Sequence, residues 1–273
     1  MSAEEKESKR FENPGLEQKI FDACAETAAG IGHELNNPLA IIAGHAQTLL
    51  KNEASEEKRR RLAAILAQTR RAYEMIVDLR TFARPPQPTP TDVDVEQFCE
   101  EWARREAKRC EESGVRLDVA FEFAENTPTL TTDEAILATI LNALTKNAVE
   151  ATGNGGTIRI FARESDERAK IASLKNENEN ESENDGAGRD SNETAPQNVR
   201  FWELGVEDDG PGLSPEAREL LFAPYFSGRQ AGRGLGVGLA KARRLADALG
   251  VDLRCDDSKS FENGLCWRVI LRF

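Results

Sequence analysis

Apolar side chains recur at three- and four-residue steps along residues 16–50, which is the spacing of one face of an α-helix. They are Ile20, Cys24, Ala28, Ile31, Leu35, Leu39, Ile42, Ala46 and Leu49. A polar turn at 52–55 separates them from a second stretch with the same spacing, which contains Leu62, Ile65, Leu66, Thr69, Ala72, Ile76, Leu79 and Ala83. The pattern predicts an antiparallel helical hairpin. Because so thin a hairpin cannot bury both stripes alone, we expect it to pair with a second copy into a four-helix bundle.

Residues 92–273 alternate between helical and strand periodicity. The pattern predicts helices near 95–112, 134–151 and 235–249, and strands near 115–123, 157–163, 200–206 and 265–273. The sequence Thr131-x-x-Glu134 resembles a capping box at the start of the second of these helices. This order favours one layer of helices on a largely antiparallel sheet, an α+β two-layer sandwich.

The segments between these patterns predict the domain boundaries. Residues 1–15 form a polar tail or connector, 16–84 the hairpin, 85–91 a proline-rich linker, and 92–273 the second domain. Inside the second domain, residues 170–198 are rich in Asn and Glu and have few apolar side chains, so we expect disorder there. This insertion is either an inert loop or an acidic recruitment segment, and its composition favours the loop.

The amino-acid composition limits the kinds of partner that we expect this chain to bind. The hydrophobic share of 39% with 31% charged residues indicates a globular protein, and the net charge of −12 argues against nucleic acid or an anionic membrane as partner. Five cysteines without a CxxC pair favour reduced thiols in a cytosolic compartment. No run of 18 apolar residues occurs, and the first residues do not resemble a signal peptide. We therefore expect a cytoplasmic chain without a membrane segment.

The first helix carries a candidate reaction centre. At about 100° per residue, His33 lies roughly 200° from the apolar stripe and is predicted to face solvent. Glu34 adjoins it, and Asn37 follows one turn later on the same face. These three residues are either a reaction centre or a solvated helix face with a single histidine, and alone they do not decide between the two.

Two glycine clusters and one asparagine are the other candidates. Asp208-Asp209-Gly210-Pro211-Gly212 follows a predicted strand, and 232–238 leads into a predicted helix whose N-terminal amides suit a phosphate. Neither cluster is a P-loop or a Rossmann fingerprint, and each also fits an ordinary tight turn. Asn147 lies close to the buried side of its helix, where a carboxamide needs a partner such as a ligand.

Taken together, five boxes occur in a characteristic order: His33-Glu34-x-x-Asn37-Pro38, Asn147-Ala148, Asp208-x-Gly210-x-Gly212, Leu221-Phe222-x-Pro224-Tyr225-Phe226 and Gly232-x-Gly234-Leu235-Gly236. Over residues 16–273 this order resembles the sensor histidine kinase transmitter of two-component systems. The resemblance implies a dimerisation and phosphoacceptor hairpin at 16–84, followed by an ATP-binding domain of the fold shared with gyrase, Hsp90 and MutL.

The resemblance also implies roles for individual residues. His33 is the implied phosphoacceptor, Glu34 orients or deprotonates its imidazole, and Asn37 matches the position linked to dephosphorylating the regulator. The implied nucleotide contacts are Asn147 through Mg²⁺, Asp208 to the adenine amino group, Phe222 and Phe226 beside the ATP lid, Arg229 on the phosphates, and the residues of the glycine boxes, Gly210, Gly212, Gly232, Gly234, Leu235 and Gly236. The implied reaction uses Mg²⁺ and ATP to phosphorylate His33, which then passes the phosphoryl group to an aspartate of a response regulator receiver domain.

The chain departs from the family pattern at three positions. Ala143 stands where an asparagine often precedes Asn147 by one turn, and Asn142 is one residue off that position. Asp209 replaces a frequent asparagine. Arg233 replaces a small hydroxyl residue and either adds charge near the γ-phosphate or faces water.

Two other functions fit parts of the sequence. One is an ATPase or serine kinase of the same nucleotide fold, which would not require the His-Glu-x-x-Asn-Pro helix. The other is a dimeric scaffold that has lost catalysis, against which the joint presence of His33, Asn147 and Asp208 argues.

Overall fold

The computed structural model describes residues 14–123, 129–165, 201–226 and 236–272, with side chains from residue 30 onward except those of 31, 33 and 165. The helices in these ranges are α1 (Pro14–Asn52), α2 (Glu56–Ala83), α3 (Val95–Ser113), α4 (Glu134–Thr152), α5 (Pro215–Glu219) and α6 (Gly238–Leu249). The strands are β1 (Thr91–Val93), β2 (Arg116–Phe121), β3 (Leu130–Thr132), β4 (Thr157–Ser165), β5 (Phe201–Asp208), β6 (Asp252–Asp257) and β7 (Leu265–Arg272). The chain divides into two compact units, one within 1–87 and 219–245, the other within 88–218 and 246–273.

Helices α1 and α2 form the hairpin of the first unit. A Cβ at Gly32 would lie 3.1 Å from Ile76 Cγ2, while at the other end Arg59 Nη1 donates to the carbonyl oxygens of Leu50 at 3.1 Å and Glu53 at 3.2 Å. The helices therefore run antiparallel, and Arg59 closes the turn by satisfying carbonyls at the end of α1. The predicted helical hairpin is confirmed.

The predicted apolar stripe of α1 divides between two environments. Ala46 is buried and Leu39 half-buried, whereas Leu35, Ile42 and Leu49 are exposed at seven-residue intervals. Helix α2 thus covers only part of the stripe. The side chains of Ile20, Cys24, Ala28 and Ile31 lie outside the described residues.

The second unit is built on a five-stranded sheet with the order β2-β4-β5-β7-β6. Strands β2 and β4 are parallel and the other neighbours antiparallel, while β1 and β3 form a separate antiparallel pair. Alternate residues of the central strands, such as Ile160, Val206 and Trp267, share one buried face of the sheet. The predicted mixed helix and sheet domain is confirmed, with one parallel pair in a mostly antiparallel sheet.

The opposite face of the sheet is polar. Buried Glu203 on β5 accepts hydrogen bonds from Arg163 on β4 at 3.0 Å and from Arg268 on β7 at 3.1 Å. These bonds satisfy the carboxylate that burial would otherwise destabilise.

The start of α4 corrects the predicted capping box. The N-cap is Asp133, whose Oδ1 accepts from Ile136 N at 3.0 Å, whereas Thr131 lies in β3 and donates to Asp92. Asp133 Oδ2 also accepts from Thr89 N at 2.9 Å and from Thr89 Oγ1 at 3.1 Å. The backbone N–H of Thr89, followed by that of Ile136, holds the pKa of Asp133 below its ordinary value. One carboxylate therefore caps α4 and binds the end of the linker.

None of the described helices is both long enough and apolar enough to cross a lipid bilayer.

Two glycines allow a matched stability test. A Cβ at Gly205 on β5 would overlap the backbone oxygen of Trp267 and the ring of Phe161, whereas a Cβ at Gly44 on α1 would meet nothing within 4 Å. We expect Gly205→Ala to lower the free energy of unfolding by about 2 kcal/mol or more, because backbone must shift. Gly44→Ala should raise it by up to about 1 kcal/mol, because alanine favours the helix.

Chemical denaturation of the two variants and the parent chain measures both effects. A Gly205→Ala protein as stable as the parent would contradict the packing described between β5 and β7.

Candidate functional site

Asp208 is the last residue of the central strand β5 and is fully buried. Its Oδ1 accepts a hydrogen bond from Gly210 N at 3.0 Å. Gly264, in the turn before β7, approaches so closely that a Cβ there would overlap the Asp208 carbonyl oxygen. The carboxylate is therefore held at a fixed place by backbone on two sides.

The glycines after Asp208 are needed for steric reasons. A Cβ at Gly210 would lie 2.7 Å from Asp208 Oδ1 and 3.2 Å from Ala151 Cβ, which brings this turn against the last part of α4. Gly212 has φ +72°, and a Cβ there would lie 2.6 Å from the carbonyl oxygen of Asn263. A side chain at Gly210 would therefore collide with the Asp208 carboxylate, and one at Gly212 with the backbone of the turn before β7.

Asp209 has a different role from its neighbour. Its Oδ2 accepts from Thr157 N at 2.7 Å, which holds the first residue of β4. This bond gives Asp209 a structural role at the start of β4, and the carboxamide oxygen of an asparagine would accept the same bond.

Asn147 lies on α4, half-buried at the margin of the helix face that packs into the core. It precedes Ala151 by one helical turn, or about 6 Å, so it lies on the side of α4 that meets the Gly210 turn. Within the second unit the structure thus brings together Asn147, Asp208, Gly210 and Gly212.

Asn142 is held away from this group. Its Oδ1 accepts from Arg109 Nη2 at 3.3 Å and its backbone oxygen accepts from Arg109 Nη1 at 3.4 Å. Arg109 in turn pairs with the fully buried Glu106 at 2.7 Å, and burial raises the pKa of that carboxyl group. Because its carboxamide is bound to α3, Asn142 does not replace the asparagine that is missing at Ala143.

Phe222, Phe226 and Gly236 belong to the first unit. The Arg243 guanidinium lies 5.6 Å from the centre of the Phe222 ring, a cation–π contact. Tyr225 N donates to Gly236 O at 3.0 Å, and a Cβ at Gly236, which has φ +66°, would lie 2.6 Å from Phe226 O. The aromatic box and the last glycine are therefore joined by their backbones. Predicted nucleotide contacts Arg229, Gly232, Gly234 and Leu235 lie outside the described residues.

The start of α6 contacts the hairpin within the first unit. Val237 and Ala240 pack with Phe82 of α2 in a buried apolar cluster. Lys241 Nζ lies 2.5 Å from Asp78 Oδ1, and both side chains are more than half buried. The residues that follow the glycine box are thus fixed to the C-terminal part of α2.

His33, Glu34 and Asn37 are all in α1. Glu34 and Asn37 are exposed, as the helical spacing predicts, while the side chain of His33 lies outside the described residues. Beside them, Asn36 lines a cavity of about 500 Å³ between α1 and α2, with Ala40 and Gln47 of α1 and Ala63, Ala67 and Arg70 of α2 among the other lining residues. By helical spacing, the α1 residues that line this cavity lie about 110° around the helix from Asn37 and about as far from the exposed stripe of Leu35, Ile42 and Leu49.

Gly264 and Arg243 are not among the residues predicted from the sequence. Asn263-Gly264 directly before the predicted strand at 265–273 is a turn signal that could have pointed to the first. Nothing in the local sequence distinguishes Arg243 from other helix-surface arginines, because its contact with Phe222 is tertiary.

Comparison with known proteins identifies the family. Residues 132–273, just over half of the chain, match the family described as histidine kinase-, DNA gyrase B-, and HSP90-like ATPase. The chain belongs to this ATPase family. Residues 25–88 match the His Kinase A (phospho-acceptor) domain, so the predicted resemblance to sensor histidine kinases is confirmed.

Individual relatives agree with this assignment. The chain is 30% identical over 226 residues to the sensory histidine kinase/phosphatase NtrB of Rhodobacter capsulatus, covering 81% of this chain and 56% of that protein. It is 25% identical over 249 residues to the C4-dicarboxylate transport sensor protein DctB of Pseudomonas aeruginosa, covering 90% and 36%. The chain thus spans between about a third and just over half of these relatives.

Two solved structures share the fold. Full-length ShkA in complex with AMPPNP superposes with a TM-score of 0.65 at 23% identity, covering 90% of this chain and 45% of that one. Histidine kinase ThkA in complex with the response regulator protein TrrA gives a TM-score of 0.53 at 18% identity, covering 90% and 61%.

Proposed function

We propose that this chain is an ATP-dependent protein histidine kinase that autophosphorylates His33 and passes the phosphoryl group to an aspartate of a response regulator receiver domain. The observation that carries the proposal is the presence, in one chain, of a phosphoacceptor hairpin containing His33-Glu34-x-x-Asn37-Pro38 and an ATPase domain with Asp208 buried at the end of its central strand.

The surroundings of Asp208 fit an adenine ring. A buried carboxylate is stabilised by donors, and the exocyclic amine of adenine is one that also supplies directional recognition. Gly210 has no side chain that would crowd the Asp208 carboxylate. The AMPPNP complex of ShkA supports a nucleotide as the ligand of this fold.

Asn147 is proposed as the Mg²⁺ ligand. Mg²⁺ retains several waters and takes few protein ligands in phosphoryl-transfer sites, so one carboxamide with phosphate oxygens is a fitting set. The family pattern adds Arg229 on the phosphates, Phe222 and Phe226 beside the lid, and Gly232, Gly234, Leu235 and Gly236 around the nucleotide.

The proposed chemistry is an in-line displacement at the γ-phosphorus. A bond forms between the phosphorus and a ring nitrogen of neutral His33, and the bond to the bridging oxygen of ADP breaks. Glu34, exposed beside it in α1, orients the imidazole or accepts its N–H proton. The rest of catalysis is positioning and charge neutralisation.

Two surfaces of the hairpin suit the proposed partners. The exposed stripe of Leu35, Ile42 and Leu49 suits a second copy of residues 16–84, because a four-helix bundle would bury it. The exposed face of α1 that carries Glu34 and Asn37 suits a receiver domain, and the ThkA complex with TrrA supports a regulator as partner of this fold. The free thiols of Cys99, Cys110, Cys255 and Cys266 and the ATP donor suit the cytoplasm as the site of reaction.

The first prediction tests adenine recognition. Asp208→Asn keeps an oxygen for Gly210 N but loses the charge, so we expect nucleotide affinity to fall by about 2–4 kcal/mol. Asp209→Asn is the isosteric control and should retain affinity, because Asp209 binds Thr157. Isothermal titration with AMPPNP measures both, and an unchanged dissociation constant for Asp208→Asn would place adenine elsewhere.

The second prediction tests the phosphoacceptor. His33→Gln should abolish stable labelling from γ-labelled ATP while nucleotide binding persists, because the acceptor and the ATPase domain are separate. His45→Gln, on the same helix and exposed, is the control and should label normally. The label should be acid-labile and alkali-stable. Labelling of the His33→Gln variant would contradict the assignment of His33 as the phosphoacceptor.

The third prediction concerns Asn37, whose carboxamide is able to hold a water in line with a phospho-aspartate. Asn37→Ala should keep autophosphorylation but slow dephosphorylation of the regulator about tenfold or more. NtrB, a kinase/phosphatase by name, supports such an activity here. The decay of a purified phosphorylated regulator measures it, with Asn52→Ala at the exposed end of α1 as control; a rate equal to the parent would make Asn37 a surface residue only.

A further inference from the structure

Lys146 directly precedes Asn147 on α4 and is exposed. It is the only basic residue within Glu134–Thr152. Over the described part of the chain, no carboxylate forms an ion pair with it. Among the described residues, therefore, the lysine next to the proposed metal ligand has no ion-pair partner.

Most other cations near the core of the second unit are already paired. The pairs are Arg109 with Glu106, Arg159 with Asp118, Arg163 with Glu203, Arg218 with Asp257 and Arg268 with Asp256. Each of these guanidinium groups would have to leave a carboxylate to bind another anion, whereas Lys146 would not.

Successive turns of helix α4 indicate where the parts of a bound nucleotide would lie. Ala151 lies against the Gly210 turn beside Asp208, Asn147 is one turn earlier, and Ala143 is one turn earlier still. An extended nucleotide with adenine at Asp208 and a metal-bound phosphate at Asn147 would have its outermost phosphate near the level of Ala143.

Lys146 can reach that level. It is a surface neighbour of Ala143 at a spacing of three residues, and the methyl group of Ala143 leaves the space above it open to a long side chain. Asn142, four residues before Lys146 and on the same side of Ala143, is held by Arg109 and does not compete. The missing asparagine at 143 thus leaves room for a lysine ammonium.

We propose that Lys146 contacts the terminal phosphate of the bound nucleoside triphosphate and so supplies positive charge that Asn147 lacks. This inference rests on the proposed ATP-binding function. Asn147 is neutral and the chain carries a net charge of −12, so a local cation would offset repulsion of the triphosphate. Lys146 is then a substrate-binding residue that distinguishes ATP from ADP.

The test compares Lys146→Met with Lys108→Met, an exposed lysine on α3 whose loss changes the net charge equally. Isothermal titration in the presence of Mg²⁺ measures the dissociation constants of AMPPNP and ADP for the full chain. We expect Lys146→Met to weaken AMPPNP binding about tenfold and ADP binding less than threefold, because only the former carries the terminal phosphate. Lys108→Met should change neither, and Lys146→Arg should retain AMPPNP binding because it keeps the charge.

Three results would overturn the assignment to the terminal phosphate: unchanged AMPPNP affinity in Lys146→Met, an equal loss for AMPPNP and ADP, or an equal loss in Lys108→Met. Failure of the proposed function is distinguishable, because the unsubstituted chain would then bind neither nucleotide.

Discussion

Burial of one carboxylate imposes the strictest constraint on the second unit. Taking a charged group out of water costs several kcal/mol unless hydrogen bonds and a preformed surrounding compensate. Asp208 meets this condition at the end of β5, which lies between β4 and β7 at the centre of the sheet. The backbone N–H of Gly210 binds it, and Gly264 brings a second turn against it. Its neighbour Asp209 secures the start of β4, so the same dipeptide places the carboxylate and fastens an adjacent strand.

In the first unit, residues that are distant in sequence contact one another. The aromatic box and Gly236 are joined through Tyr225, and the following helix is fixed to α2 by Phe82 and by the pair of Asp78 with Lys241. The C-terminal part of α2 therefore belongs to the hairpin and also contacts the residues that follow the glycine box.

Helical periodicity and ordered motifs predicted the hairpin and the mixed sheet domain because long amphipathic helices and alternating central strands carry strong patterns. The strands β1, β3 and β6 were missed, since two are three residues long and β6, Asp-Leu-Arg-Cys-Asp-Asp, has only two apolar residues. The cap at Asp133 was missed because Thr131 and Asp133 are both good caps, and only pairing of β3 with β1 removes Thr131 from the helix. For the site, the motif order selected Asn147, Asp208 and Gly210, whereas the binding of Asn142 by Arg109 depends on tertiary packing that no local pattern encodes.

Because the Asp133 carboxylate binds two segments of the chain, its protonation affects both. This carboxylate binds Thr89 and the first turn of α4 at once, and its folded-state pKa is lowered from the ordinary value of 3.8. A group with a lowered folded-state pKa adds stability at any pH above its unfolded value, and this contribution is lost as the pH falls through the folded value. A single protonation would therefore weaken the helix cap and release the end of the linker together. The attachment of the linker and the order of the first turn of the helix that carries Asn147 are thus one acid-sensitive equilibrium.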